Sequence, residues 1–293
     1  MVIKSFHLLD EGQEEQIREL EELCNASEKP PLQSYVYLAS DANKNPSQDC
    51  FYLLYEDGML VSFLSVFAPR QEAEISAFTH PDYRRRGYFS ALLERMRSQW
   101  KDLTQLLFVA EPSSKSAQAV LKKLGASYDF SEYMMYYGAN PAKRQPSGQN
   151  HSNSALLKLR KVTPSDRSVM TGLYASIFSM KEKDASDWFD RLMEEPSVSV
   201  FQGMLGDTVV GVAGLSDEGD RMTLFGMGVK KALRGRCYGR ELLQLVLEHW
   251  SKHYGEKELL VECDSHSSRA VSLFKRHGFL VATQFDYYQL SLR

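Results

Sequence analysis

The sequence predicts an α/β chain, an α+β mixed sheet with helices on its faces, written as two domains in tandem. Three observations carry this. A basic, glycine-containing turn occurs twice, 150 residues apart, as Tyr83-Arg84-Arg85-Arg86-Gly87-Tyr88-Phe89 and Leu233-Arg234-Gly235-Arg236-Cys237-Tyr238-Gly239. Over Tyr83–Trp100 and Leu233–Trp250, six of eighteen positions are identical: Arg84/Arg234, Arg86/Arg236, Tyr88/Tyr238, Leu92/Leu242, Leu93/Leu243 and Trp100/Trp250. Both copies also sit in the same order of apolar runs and turn residues, a repeat far longer than a solenoid period.

In the first half, Val2–Leu9 reads as a short strand, and the acidic stretch that follows as a helix whose Ile17, Leu20 and Leu23 share a face. Glu56-Asp57-Gly58 is a hairpin signal between alternating apolar segments. Ile75–Thr79 is the strand before the turn, and apolar residues at 89, 92, 93, 96 and 100 give the helix after it one buried face. Leu106–Ala110 is a strand ending in Glu111, followed by a Ser-rich loop, a helix stopping at Gly125 and a last strand, Tyr133–Tyr137. The second half repeats the plan. Leu156–Val162 is a strand, and Thr163-Pro164-Ser165-Asp166 starts a helix carrying Met170, Leu173, Tyr174 and Ile177 on one face. Leu205-Gly206-Asp207 is the hairpin and Leu224–Val229 the strand before the turn. The helix with Leu242, Leu243, Val246, Leu247 and Trp250 follows, then Leu259–Val261 ending in Glu262, a helix stopping at Gly278 and a last strand, Phe285–Leu290.

These readings place a first domain at 1–138, a linker at 139–154 without apolar periodicity and rich in Pro, Gly, Ser and Asn, and a second domain at 155–293. Ser40–Asp49 is expected to be a surface loop. Two domains of roughly 140 residues can each bury a core. With 43% hydrophobic and 25% charged residues the composition is that of a globular protein. A formal net charge of -3 and a pI near 6.2 argue against nucleic acid or membrane as partner and make Arg84-Arg85-Arg86 a local feature. Cys24, Cys50, Cys237 and Cys263 form no Cys-x-x-Cys pair and no metal-ligand spacing, so no metal is expected and a reduced, cytoplasmic chain is the simpler reading. Neither a signal peptide nor a membrane span is legible.

A basic strand-to-helix turn is a place to hold phosphate. Its N–H groups converge on an anion, the helix start adds partial positive charge, and arginine forks reach peripheral oxygens. At these residues the chain resembles the GNAT superfamily of acyl-CoA-dependent N-acetyltransferases, in a tandem arrangement. That family carries Gln/Arg-x-x-Gly-x-Gly/Ala at the start of its central helix. Here Arg84-Arg85-Arg86-Gly87-Tyr88-Phe89 and Arg234-Gly235-Arg236-Cys237-Tyr238-Gly239 stand in its place. Phe89 replaces the final Gly or Ala of the first copy, and Cys237 the first Gly of the second.

The resemblance implies two GNAT-like acyltransferase domains and acetyl-CoA as co-substrate. Its diphosphate would be held by Arg84, Arg85, Arg86, Gly87, Tyr88, Phe89 and Ser90, or by Arg234, Gly235, Arg236, Cys237, Tyr238, Gly239 and Arg240. Pantetheine would lie along main-chain groups of Phe78 and Thr79, or Gly228 and Val229, on a strand splayed from its neighbour. The implied reaction is acetyl transfer to a primary amine of a small-molecule or peptide acceptor. An amine with a pKa near 10.4 must first lose its proton. The tyrosine that serves as acid in many members is replaced by Leu121 and Phe274, which read as core residues. Glu72, Glu74, Glu132, Asp264 and His266 form the candidate catalytic set, with Glu111 and Glu262 at matching strand ends and Tyr133, Tyr136, Tyr287 and Tyr288 on the last strands. The competing reading is a non-catalytic acyl-CoA-binding or interaction module with one or both halves degenerate. A P-loop is disfavoured because Gly-x-x-x-x-Gly-Lys-Ser/Thr is absent from both turns, and RNA binding by the acidic balance. Acceptor identity and oligomeric state are not encoded legibly.

Overall fold

The computed structural model describes residues 1–34, 36, 48–68, 71–138 and 157–292, so the linker 139–154 and most of the 40–49 loop lie outside the described residues. In chain order the elements are β1 (Val2–Phe6), α1 (Glu11–Ser27), β2 (Phe51–Glu56), β3 (Met59–Phe67), β4 (Glu72–Thr79), α2 (Tyr88–Gln99), β5 (Gln105–Ala110), α3 (Lys115–Leu124) and β6 (Ser127–Tyr137). The second half adds β7 (Leu157–Lys161), α4 (Arg167–Phe178), α5 (Glu182–Glu194), β8 (Val198–Leu205), β9 (Thr208–Asp217), β10 (Arg221–Val229), α6 (Tyr238–Tyr254), β11 (Glu258–Asp264), α7 (Ser268–Arg276) and β12 (Phe279–Ser291). The mixed α/β class and the tandem plan predicted from sequence are both present.

Local signals act where expected. Asp57 and Gly58 take φ values of 51° and 85°, the two positive angles that a twist-matched two-residue hairpin requires, and join β2 to β3 with Glu56 opposite Met59. Between β8 and β9 a two-residue turn with one positive angle, Gly206 at φ 56°, makes the corresponding connection. Asp10 caps α1 by accepting from Gln13 N, and Gly125 ends α3 at φ 73°. Thr163 and Asp166 form a capping box over a short 3-10 turn that leads into α4. One helix face departs from expectation: α1 buries Ile17, Leu20 and Cys24, while Leu23 is exposed. Position 24 lies seven residues from 17, two full turns along the same face, whereas 23 is rotated off it.

The first compact unit comprises Met1–Glu132 with Thr283–Arg293, and the second Tyr133–Ala282. In the first, β1 to β4 pair antiparallel in sequence order, β5 pairs parallel with β4, and the free edge of β5 is taken by β12, antiparallel, with Asp286 opposite Ala110. In the second, the order is β6-β11-β10-β9-β8-β7, with β10 and β11 parallel. The units therefore depart from the chain halves at the last strands: residues 283–291 of the second half complete the first sheet. Leu92, Leu93 and Met96 of α2 and Leu53, Phe63 and Ile75 of the sheet build the first core. Leu242, Leu243, Val246 and Trp250 of α6 pack with Val210, Leu215 and Leu224 in the second.

Polar side chains fix the added strand in register. Asp286, buried, accepts from Ser131 Oγ at 2.6 Å and Gln284 Nε2 at 2.7 Å, and Tyr287 Oη donates to Glu132 Oε2 at 2.8 Å with its ring stacked on Phe130 at 4.3 Å. A buried carboxylate with its donors satisfied is costly to remove, because the donors are left unpaired. Asp286→Ala is expected to lower stability by about 1–3 kcal/mol, read as a fall in the urea midpoint. Truncation after Ala282 should abolish amide protection in β5 while leaving β9 and β10 protected; unchanged β5 protection would refute the role given to residues 283–291.

Candidate functional site

Each half places its basic turn at the end of a strand whose parallel neighbour has already left it. β4 pairs with β5 from Glu72 to Ile75, opposite Gln105 to Phe108, and continues to Thr79 on β3 alone, without β5. β10 pairs with β11 from Arg221 to Leu224, opposite Glu258 to Val261, and continues to Val229 through an irregularity between Phe225 and Gly228. A V-shaped gap thus opens ahead of each turn, with main-chain groups along one lip.

Strand register decides which groups face it. His80 N donates to Val61 O, and the pairing puts Thr79 opposite Ser62 and Phe78 opposite Phe63. In an antiparallel ladder the main-chain groups of successive residues point to alternate sides. Those of Phe78 are therefore turned to β3, and those of Ala77 and Thr79 to the gap. Of the two residues expected to lend main-chain groups, Thr79 turns them to the gap and Phe78 to β3, and Ala77 faces the gap as well, an orientation that strand parity could have revealed. In the second half Lys230 N donates to Val210 O and Val229 lies opposite Gly211, so Val229 faces the gap and Gly228 faces β9. Gly228 is needed for close approach: a Cβ there would lie 2.3 Å from Ile177 Cγ2 on α4.

The two turns share one backbone path. Arg84 and Arg234 are extended, with φ/ψ of -63°/156° and -66°/158°. Arg85 and Gly235 then have φ of 65° and 79°, and Gly87 and Cys237, the residues preceding α2 and α6, have φ of 85° and 65°. Each copy thus keeps glycine at one of its two left-handed positions and strains a side chain at the other. Neither helix start is closed by a side-chain cap, so both present free N–H groups. Arg84 Nε donates to Thr79 O at 3.2 Å and Arg234 Nε to Val229 O at 3.0 Å, so the first arginine of each motif braces the turn against its own strand.

Around that shared path the surroundings differ. Arg84 Nη1 meets Glu28 Oε1 at 2.9 Å; Arg86 lies 3.8 Å from Glu56, which also accepts from Tyr88 Oη, and its guanidinium sits 4.6 Å over the Tyr83 ring. Arg85 and Ser90 are exposed. Phe89, at the position of Gly239, packs against the first core. Arg234 Nη2 donates to Ile177 O at 3.3 Å, and Arg236, Cys237 and Arg240 are exposed, with Tyr238 half-buried. Glu28 and Glu56, the partners of the first turn, were not among the sequence candidates; they lie 56 and 32 residues from the groups they bind, and no local spacing marks them.

The candidate carboxylates separate by position. Glu72 is exposed at the far end of β4, about 23 Å of strand from Thr79. Glu74 is half-buried one residue before the strands part, at the floor of the first gap. Glu132 lies on β6, beyond β12 from β5, where it accepts from Tyr287. The structure does not bring Glu72 or Glu132 to the gap. Asp264 ends β11 beyond the parting point; its Oδ1 accepts from His266 N at 2.8 Å and lies 3.2 Å from His266 Nδ1, an exposed carboxylate–imidazole pair. Glu111 is buried rather than superficial, accepting from Gln33 N, Ser34 Oγ at 3.0 Å and Thr283 Oγ1 at 2.6 Å, whereas Glu262 is exposed. Leu121 and Phe274 are core residues. Burial pushes the Tyr288 phenol up, against its hydrogen bond to Gln118 Oε1 at 3.0 Å. Tyr133 borders an open depression with Ser265, Ser268, Ser272 and Lys275 in the second unit.

The acetyltransferase (GNAT) family model matches residues 14–126 and again 168–279. The chain belongs to the GNAT acetyltransferase family. No curated protein sequence matches it. Among solved structures, a GCN5-related N-acetyltransferase from Sphaerobacter thermophilus superposes with a TM-score of 0.75 at 16% identity, covering 100% of this chain and 96% of that one. A tandem GNAT protein from the clavulanic acid biosynthesis pathway gives 0.74 at 14%, covering 99% and 98%. A GNAT-family acetyltransferase from Colwellia psychrerythraea gives 0.66 at 13%, covering 99% and 100%. At such identities the likeness is one of fold, and it extends over both GNAT domains. Gly87→Ala, which forces a Cβ into the left-handed region, is expected to lower stability by about 1–2 kcal/mol, measured by thermal or urea denaturation; an unchanged midpoint would show that the turn relaxes without cost.

Proposed function

We propose that the protein is an N-acetyltransferase that moves an acetyl group from acetyl-CoA to a primary amine of a small molecule or peptide. One observation carries the reading: in a GNAT chain, a strand parts from its parallel neighbour directly ahead of an arginine-braced, uncapped helix start. A slot with main-chain N–H groups on one lip and converging N–H groups at its end suits a long thioester carrier with a diphosphate at one end. The residues present fit that group. Main-chain N–H groups of Thr79 or Val229 would polarise the thioester carbonyl as charge develops on its oxygen, needing no particular side chain. The turn residues 84–90 or 234–240 would hold the diphosphate.

The acceptor must reach the carbonyl carbon as a neutral amine. Two bases suit the geometry: Glu74 at the floor of the first gap, and His266, oriented by Asp264, beside the second. Attack forms the C–N bond, the nitrogen gives up a proton, the tetrahedral oxyanion collapses, and the C–S bond breaks with the thiolate taking up the proton that the nitrogen lost. None of the four cysteines is in a disulfide, which agrees with a cytoplasmic enzyme. Among the described residues no helix is long and apolar enough to cross a membrane. The alternative, a carrier-binding module without turnover, is favoured by the loss of the usual tyrosine from both α3 and α7.

Release of free thiol from acetyl-CoA with a panel of primary amines tests the proposal. Turnover is expected with at least one amine, and His266→Gln should lower kcat by about 10²–10⁴-fold with CoA affinity retained. Saturable CoA binding without thiol release across the panel would favour the binding module instead.

A further inference from the structure

The two gaps are not equivalent, and three features separate them. The first is space. A Cβ at Gly239 would make ordinary contact with Val229 Cγ2 at 3.8 Å and Leu273 Cδ2 at 3.9 Å, so the position faces the end of β10 and α7 and puts no side chain between them. Its counterpart, Phe89, puts an aromatic ring on the same turn of α2 and packs it against the first core.

The second is charge. Arg84 and Arg86 are paired with Glu28 and Glu56, and these carboxylates oppose the field that a phosphate would need. In the second turn Arg234 is bonded to carbonyl oxygens of Val229 and Ile177 and keeps its charge. Among the described residues no carboxylate forms an ion pair with Arg234, Arg236 or Arg240.

The third is a clasp. Residues 24–34, at and beyond the end of α1, bond to both lips of the first gap. On the β4 side Cys24 Sγ donates to Thr79 O at 3.3 Å, and Arg84 holds Glu28. On the β5 side Ser116 Oγ, in the first turn of α3, donates to the same Glu28 Oε1 at 2.9 Å, while Gln33 N and Ser34 Oγ bond Glu111. Glu28 thus bridges one lip to the other through a single carboxylate oxygen. In the second half the end of α4 bonds the β10 side, through Ile177 O to Arg234 and Ser179 Oγ to Lys231 Nζ at 3.1 Å, and Glu262, the counterpart of Glu111, stands exposed.

We propose that the halves have divided their tasks: the second gap, at Val229 and residues 234–240, takes the diphosphate carrier, while the first is held shut by Phe89 and the Glu28 clasp as a structural partner. The assignment rests on the acetyl-CoA reading and selects His266 rather than Glu74 as the base in use.

Calorimetric titration of the full chain with CoA is expected to show one equivalent. Hydrogen exchange on the wild-type protein should then show CoA-dependent protection in 225–240 and none in 76–90, a readout that stands even where a variant does not fold. Gly239→Phe should lose binding with its melting transition preserved, whereas Glu28→Gln should still bind one equivalent. Two equivalents, protection in 76–90, or undiminished binding by a folded Gly239→Phe protein would overturn the division of tasks while leaving acetyl transfer intact. Absence of any saturable CoA binding would instead overturn the functional reading, and this assignment with it.

Discussion

The bond from an arginine Nε to the last carbonyl of the strand before it, Arg84 to Thr79 and Arg234 to Val229, is the constraint on which each half is organised. A strand that outruns its parallel neighbour has unpaired main-chain groups along one edge, an unfavourable arrangement unless something fixes its direction. The guanidinium does so by turning back on the strand end and gripping the helix behind it, Glu28 after α1 in one half and Ile177 of α4 in the other. The helix start is then held at a set distance from the open edge. The gap exists because the brace holds it open; with the chain free to relax, the edge would seek a ladder partner.

Much of this was legible in residues. The basic turns, the apolar stripes of α2 and α6, the hairpin at Asp57-Gly58 and the glycine stops at 125 and 278 are local signals, each with one stereochemical reason, and each acts where the pattern put it. What local patterns cannot carry is partnership. β12 alternates and packs like any half-buried strand whether its neighbour belongs to its own half or the other, so the pairing of Asp286 with Ala110 leaves no trace in periodicity. Glu111 looks like a surface strand end until three donors from distant segments close around it. The resemblance puts Phe78 on the open edge, whereas parity turns Ala77 and Thr79 to that edge and Phe78 to β3.

The repeat also shows how a shared backbone can outlast shared chemistry. Both turns trace the same left-handed angles although the glycine needed for them has been kept at 87 in one copy and at 235 in the other. A side chain at either point costs about 1–2 kcal/mol of strain, small beside what the helix recovers by packing its face. The fold can therefore tolerate either loss, and the positions around the turn are free to diverge in charge and bulk. Glu28, Glu56 and Phe89 are that divergence in the first half.

The loan of residues 283–291 to the first sheet sets an order of events during synthesis. Thr283 and Glu111 stand 172 residues apart, so β5 emerges from the ribosome long before the strand that will cover its outer edge. Throughout the translation of the whole second half that edge has no permanent neighbour, and the N-terminal unit must wait, incomplete, for the closing stretch of chain to arrive. A chaperone shielding β5 during that interval would be protecting a seam that vectorial folding leaves open.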